Sequence, residues 1–248
     1  MERVNIKSQK NEIRMLIWKK MEELGISLPP GAYGRIPNFK GAKQAALRVG
    51  VLRDWRTARV VKVNPDSPQR WVRELALREG KKLVMPTPRL RRGFLLIDPR
   101  LIPSSRISFS ATIKGAFRYG KLLMTIDELK ANLSSIDLIV EGSVAVNDRG
   151  ERLGKGEGYG DLEFAILLEL GIIEREVPII TTVHDIQLLR ERLPQDPHDV
   201  AVDYILTPTR VVKANDRPKR PNGLIPSQLS KEKVKEIPLI SEMLRTKK

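Results

Sequence analysis

The stretch Glu151-Arg152-Leu153-Gly154-Lys155-Gly156-Glu157-Gly158-Tyr159-Gly160-Asp161 sets four alternating glycines among two cations, an aromatic ring and a carboxylate. Glycine permits positive φ and lets a ligand come close to the main chain. Successive bare N–H groups form a concavity that holds anions, and a helix start adds about half a positive charge. Arg152 and Lys155 bring full charges to the same place. The chemistry that suits this composition is phosphate binding. Two roles are open to Asp161: a helix N-cap that accepts a backbone amide, or a ligand that holds Mg²⁺ against phosphate oxygens.

The spacing is that of neither common nucleotide motif. A G-x-G-x-x-G loop needs glycine five positions after its first, where this chain has Tyr159 or Asp161. A Walker A loop needs Ser or Thr after Gly-Lys, and Lys155 is followed by Gly156. A flexible glycine turn is the plain alternative, and the clustered charges argue against it.

The elements around the loop have to position it. The apolar run from 136 to 146 predicts a central strand feeding the loop, and the pattern from 162 to 170 predicts a helix after it. That helix has only Glu163 and Glu169 as charges and is expected to be mostly buried. Upstream, apolar residues at 13, 16, 17, 21 and 24 predict a helix over 6–24, with Lys10 and Arg14 on one face. By itself that pair reads as a solvated face. A second helix is expected over 39–55, interrupted near Gly50. A strand at 60–63, a helix at 69–78 and a strand at 81–85 form a right-handed βαβ unit. Directly after it, Arg89, Arg91 and Arg92 stand where open α/β sheets bind ligands, and could clamp an acid. Further strands are expected at 94–97, 177–183 and 200–206, with short helices at 127–133 and 188–193. His184 and His198 each adjoin an aspartate at a strand boundary and read first as hydrogen-bonded loop residues. The expected organisation is one α/β domain over 1–225 and a basic, Pro-rich tail over 226–248 that is helical around 230–244.

Composition narrows the classes. There is no cysteine, which excludes disulfides, zinc thiolates and thiol nucleophiles, and two histidines argue against a His-rich metal site. No apolar run reaches the length of a membrane span and the N-terminal residues are polar, so a cytoplasmic protein is expected. A net charge of +15 attracts polyanions, whether nucleotide, RNA or a polycarboxylate. With 30% charged residues the composition also suits a thermophile. Aromatic residues make up 5%, so stacking platforms for RNA are scarce.

Taken in order, these residues resemble the 5-formyltetrahydrofolate cyclo-ligase family, and most closely its methenyltetrahydrofolate synthase domain-containing members. The likeness rests on Lys10-x-x-x-Arg14, on Arg152 to Asp161 and on Pro197-His198-Asp199-x-x-Val202-Asp203. It also rests on the blocks 35–42, 61–65, 86–91 and 202–209, and covers about residues 5–225. The resemblance implies a three-layer α/β/α fold with a mostly parallel sheet, like that of sugar-phosphate isomerases and CoA transferases. It implies ATP-dependent closure of 5-formyltetrahydrofolate to 5,10-methenyltetrahydrofolate with Mg²⁺. Carried over, Arg152 and Lys155 become the catalytic cations, and Lys10, Arg14, Gly154, Gly156, Gly158 and Tyr159 the nucleotide ligands. Asp161 becomes the metal ligand, and Phe39, Arg89, Tyr159 and His198 the candidates for the folate. Phosphoryl transfer needs mainly positioning and charge, so this set suffices without a covalent nucleophile. On this reading Arg152→Ala stops ATP turnover and leaves the fold intact. Three departures concern the substrate: Gly160 stands where the family has a second aromatic, Glu157 is an anion where many members have a neutral or basic residue, and the family's folate-facing carboxylate is missing from 39–46. An ATP-using enzyme of this fold with another substrate, and a basic RNA-binding protein, are the alternatives.

Overall fold

The computed structural model describes residues 2–246. A long helix, α1 (Glu2–Glu23), precedes two short ones, α2 (Ala42–Leu47) and α3 (Arg53–Thr57), with Gly50 in the 3-10 turn between them. Next come β1 (Val60–Val63), α4 (Arg70–Arg78), β2 (Lys82–Pro86) and β3 (Phe94–Ile97). The chain then forms α5 (Ile107–Ser110), α6 (Ile113–Tyr119) and β4 (Lys121–Leu123). Helix α7 (Ile126–Asn132) opens on a capping box in which Thr125 and Glu128 satisfy each other's amides. It leads to β5 (Leu138–Glu141), β6 (Ala145–Asn147), β7 (Arg152–Leu153) and α8 (Tyr159–Glu169). The chain continues through β8 (Ile179–Thr182), β9 (Leu188–Leu189), β10 (Tyr204–Leu206) and β11 (Val211–Lys213). Helices α9 (Lys231–Glu236) and α10 (Pro238–Thr246) follow.

The main sheet has the order β11-β10-β8-β5-β1-β2-β3-β4. Strands β10, β8, β5, β1 and β2 pair in parallel, and the outer strands are antiparallel. Successive side chains of a strand point to opposite faces. Thus Val61, Leu83, Leu138 and Ile180 join a core with Trp55, Val72, Ala76 and Ala116. Their neighbours Val84, Ile139, Ile179 and Ile205 join another with Leu129, Phe164, Leu167 and Ile240. Helices therefore cover both faces, which makes a three-layer α/β/α fold and explains the near-continuous apolar strands.

Three expectations are corrected. The apolar stretch 136–146 is not one strand: β5 ends at Glu141 and the chain turns at Gly142. A Cβ on Gly142 would stand 2.9 Å from Ile36 and 3.0 Å from Asp66, so the turn requires glycine. Beyond it, β6 pairs antiparallel with β7 and parallel with β9 in a second, three-stranded sheet. Arg152 thus lies on a hairpin arm, and the glycine loop springs from that arm rather than from the central strand. Residues 188–193 form no helix, because Leu188 and Leu189 pair with Val146 and Asn147 instead. Helix α1 packs Ile17, Trp18 and Met21 against Val144, Ala145 and Leu153, which sets its Lys10–Arg14 face over the loop. Ile237, Leu239 and Ile240 at the start of α10 are fully buried, so this segment is part of the body. No helix among the described residues is long and apolar enough to cross a membrane.

Candidate active site

The glycine loop meets α8 through Gly158, whose φ of 68° and ψ of 19° are left-handed and open to glycine without strain. Gly158 therefore caps the helix, and Asp161 does not. Asp161 sits in the first turn, where its Oδ1 accepts from Arg152 Nη2 at 2.8 Å and from the Val200 amide at 3.0 Å. Arg152 is only 6% exposed. Its Nη1 donates to the Gly142 carbonyl at 2.9 Å and its Nε to the Val200 carbonyl at 3.3 Å. The guanidinium is thus a buried tie between hairpin, helix and the 196–200 loop. Burial works against both charges, but Asp161 and Glu141 hold Arg152 above its ordinary pKa. Arg152 and the Val200 amide likewise hold Asp161 below the usual carboxylate range, against burial.

Two cavities, of about 410 and 440 Å³, share the loop as a wall, with Arg152, Gly154, Gly158 and Asp161 lining both. The larger is completed by α1 and by the 196–199 loop. Arg14 Nε donates to the Gly154 carbonyl at 2.7 Å, and its guanidinium carbon would lie 3.4 Å from a Cβ on Gly156. Lys10 donates to Asp196 at 2.7 Å and also to Asp199. Both cations are buried, so their face is not the solvated one that their spacing alone suggests. Burial lowers Arg14. Burial and the neighbouring Asp161 push Asp199 up, which is what two carboxylates crowded together produce. His198 lines this cavity and not the smaller one; its ring and the Asp196 and Asp199 carboxylates offer ligand atoms within 4.8 Å of one another.

The smaller cavity has a cationic rim and an acidic floor. Arg35, Arg89 and Lys155 line it, with Lys155 paired to Glu157 at 2.9 Å. Tyr159 lines it too. Arg89 sits at φ 57°, about half exposed. At the floor, Lys62 Nζ donates to Glu141 Oε1 and to Asn64 Oδ1 at 2.6 Å each, and pairs with Glu163. Asn64 Nδ2 donates to the other oxygen of Glu141 at 2.9 Å. Burial lowers the Lys62 ammonium, yet Glu141 and Glu163 together outweigh it and hold the group above its ordinary value. Burial, opposed by Lys62 and reinforced by Glu141, pushes Glu163 up to about 7. Burial also raises Asp66, which faces the same cavity.

Sequence reasoning missed this floor. Its signal was visible: a lysine interrupts Val-Val-Lys-Val, and Glu163 interrupts an otherwise apolar helix face. Alternation on β1 turns Lys62 toward α8, opposite to Val61 and Val63. The carboxylates of this cavity, Glu141, Glu163 and Asp66, come from β5, α8 and the turn after β1. Phe39 is corrected as a substrate residue. It is 1% exposed, packs edge-on against His184 with centroids 6.0 Å apart, and belongs to the core beneath α1. Gly160 faces this floor as well: a Cβ there would stand 2.5 Å from Glu141 Oε2.

Residues 6–208 match the model of the 5-formyltetrahydrofolate cyclo-ligase family. The chain belongs to this family. The methenyltetrahydrofolate synthase domain-containing protein of Mus musculus is 40% identical over 242 residues, covering 96% of this chain and 64% of that protein. Its Homo sapiens counterpart is 38% identical over 242 residues, covering 94% and 61%. The chain thus spans 61–64% of the length of these relatives. The NMR structure of Aquifex aeolicus 5,10-methenyltetrahydrofolate synthetase superposes with a TM-score of 0.50 at 20% identity, covering 84% of this chain and 94% of that one. That likeness extends the family assignment to the fold, which is the α/β/α arrangement the resemblance implied.

Proposed function

We propose that the protein is an ATP-dependent cyclo-ligase that converts 5-formyltetrahydrofolate to 5,10-methenyltetrahydrofolate, releasing ADP and phosphate. The observation that carries the reading is the glycine loop standing as a common wall between two cavities. A phosphoryl transfer needs the acceptor oxygen in contact with the γ-phosphorus, so on this reading the γ-phosphate reaches past the loop at Arg152, Gly154, Gly158 and Asp161, which line both cavities. On the α1 side, Lys10, Arg14 and the amides of Gly154, Gly156 and Gly158 receive the triphosphate. Asp161 and Asp199 are adjacent hard oxygen donors, which fit Mg²⁺. When bound, the ion neutralises phosphate charge. Asp161 would then keep one oxygen on Arg152.

On the other side the folate places its N5-formyl oxygen toward the wall, with Arg89 toward its carboxylates and the Asp66–Glu141–Glu163 floor toward its N–H donors. The formyl oxygen attacks the γ-phosphorus as ADP leaves. The N10 amine then attacks the activated carbon, loses its proton, and the ring closes as phosphate departs. Arg152 and Lys155 stabilise the charge that develops at the wall. Incubation with MgATP and 5-formyltetrahydrofolate is expected to raise the methenyl absorbance; absence of turnover across pH and salt would reject the reading.

A second reading, the same chemistry on another acceptor, is favoured by Gly160, which stands where the family has a second aromatic. Thermal shift separates the two, since ATP would then stabilise the protein and folates would not. A cytoplasmic location is part of the proposal, as is contact with polyanions through the basic surface.

A further inference from the structure

Helix α9 lies beyond residues 6–208, the range that the family model covers, yet it grips the glycine loop. Lys233 Nζ donates to the Glu157 carbonyl and lies 4.8 Å from the centroid of the Tyr159 ring. A Cβ on Gly158 would stand 3.2 Å from that nitrogen. Three residues on, Glu236 accepts from the Tyr159 hydroxyl at 2.8 Å and from Arg91 Nε at 2.9 Å, and faces Arg89 at 3.7 Å. The helix itself is anchored: the Ser230 hydroxyl accepts from the Lys233 amide, and Ile237 behind it is fully buried.

We propose that Lys233 is a positioning residue for the phosphate loop, holding the Glu157–Gly158 peptide in the orientation that accepts an anion. Glu236 ties Tyr159 and the Arg89–Arg91 turn to the same helix. This inference rests on the nucleotide reading above. In a trans peptide the C=O of one residue and the N–H of the next point in opposite directions. With the Glu157 carbonyl turned to Lys233, the Gly158 amide points away from α9. It stands at the end of α8 where amides lack an intrahelical acceptor. Turning that peptide over changes φ of Gly158, which at 68° carries no Cβ to resist the rotation, so its orientation has to be held from outside. Without the ammonium, the peptide turns over and offers carbonyl oxygen to a phosphate, which repels it. The side chain of Glu157 is held by Lys155 at 2.9 Å and Arg89 at 3.7 Å at the other cavity, which leaves Lys233 to its backbone carbonyl.

The test uses the full chain with Lys233→Met, Lys233→Arg and Glu236→Gln, and two probes, ATP and inorganic tripolyphosphate, in calorimetry and steady-state kinetics. Lys233→Met is expected to raise KM for ATP and Kd for tripolyphosphate about tenfold, with kcat within about twofold. Lys233→Arg restores most of the affinity, and Glu236→Gln weakens both probes in the same direction, about threefold. Affinity unchanged in folded Lys233→Met overturns the proposal while wild-type binding keeps the nucleotide reading. Should Lys233→Met fail to fold, Glu236→Gln decides: a lower Tm with unchanged KM marks a merely structural contact and overturns it. A wild type that binds neither probe overturns the nucleotide reading and this inference together.

Discussion

A buried guanidinium has to be matched at close range, and Arg152 is matched by Asp161 at 2.8 Å and the Gly142 carbonyl at 2.9 Å. Its type and place in the loop were legible in the sequence; its burial was not, because the hairpin that encloses it depends on distant pairing. Arg152→Ala leaves Asp161 buried and uncompensated, so it is expected to cost about 3–5 kcal/mol of stability as well as activity. The intact fold expected from sequence alone is thereby withdrawn, and urea denaturation of the variant checks the point. Glu163 gives a second prediction. Its folded pKa of about 7 lies above the ordinary 4.5, so the folded state takes the proton first. The stabilisation is complete below about pH 4.5 and is lost as the pH rises through about 7. Glu163→Gln removes the effect, so the Tm of the wild type should fall relative to the variant across that window. Parallel profiles would contradict it.

At the scale of elements, β1, β2 and β8 lie where the apolar runs announced them, since buried parallel strands leave little choice of residue, whereas the run over 136–146 splits into β5 and β6. The second sheet was hidden because β9 is two residues long and is held by pairing to β6, 40-odd positions away in sequence. The loop between hairpin and helix carries a finer constraint at Gly160. Glu141 is held in place by Lys62 and Asn64, so a methyl at 160 cannot displace it freely. Gly160→Ala is expected to cost about 1–3 kcal/mol. The cost should shrink in a Glu141→Ala background, with a coupling energy of at least about 0.5 kcal/mol in a double-mutant cycle. Additive effects would show that the two positions do not touch.

For the whole molecule, layering places the loop between α1 and the main sheet, so one wall serves two cavities. The basic composition, +15 overall, is concentrated in meaning there: Lys10 and Arg14 face one cavity, Arg89 and Lys155 the other. None of that division was legible from spacing, because the two lysine–arginine sets come from segments about 80 to 140 residues apart. The central claim is that nucleotide and acceptor occupy separate cavities at the same time. Calorimetric titration of a non-hydrolysable ATP analogue with Mg²⁺ into protein saturated with 5-formyltetrahydrofolate tests it most directly. The account predicts one site for each ligand without competition, with Lys10→Met weakening only the nucleotide and Asp66→Asn only the folate. Mutual displacement of the two ligands, or no binding of the nucleotide at all, would contradict it.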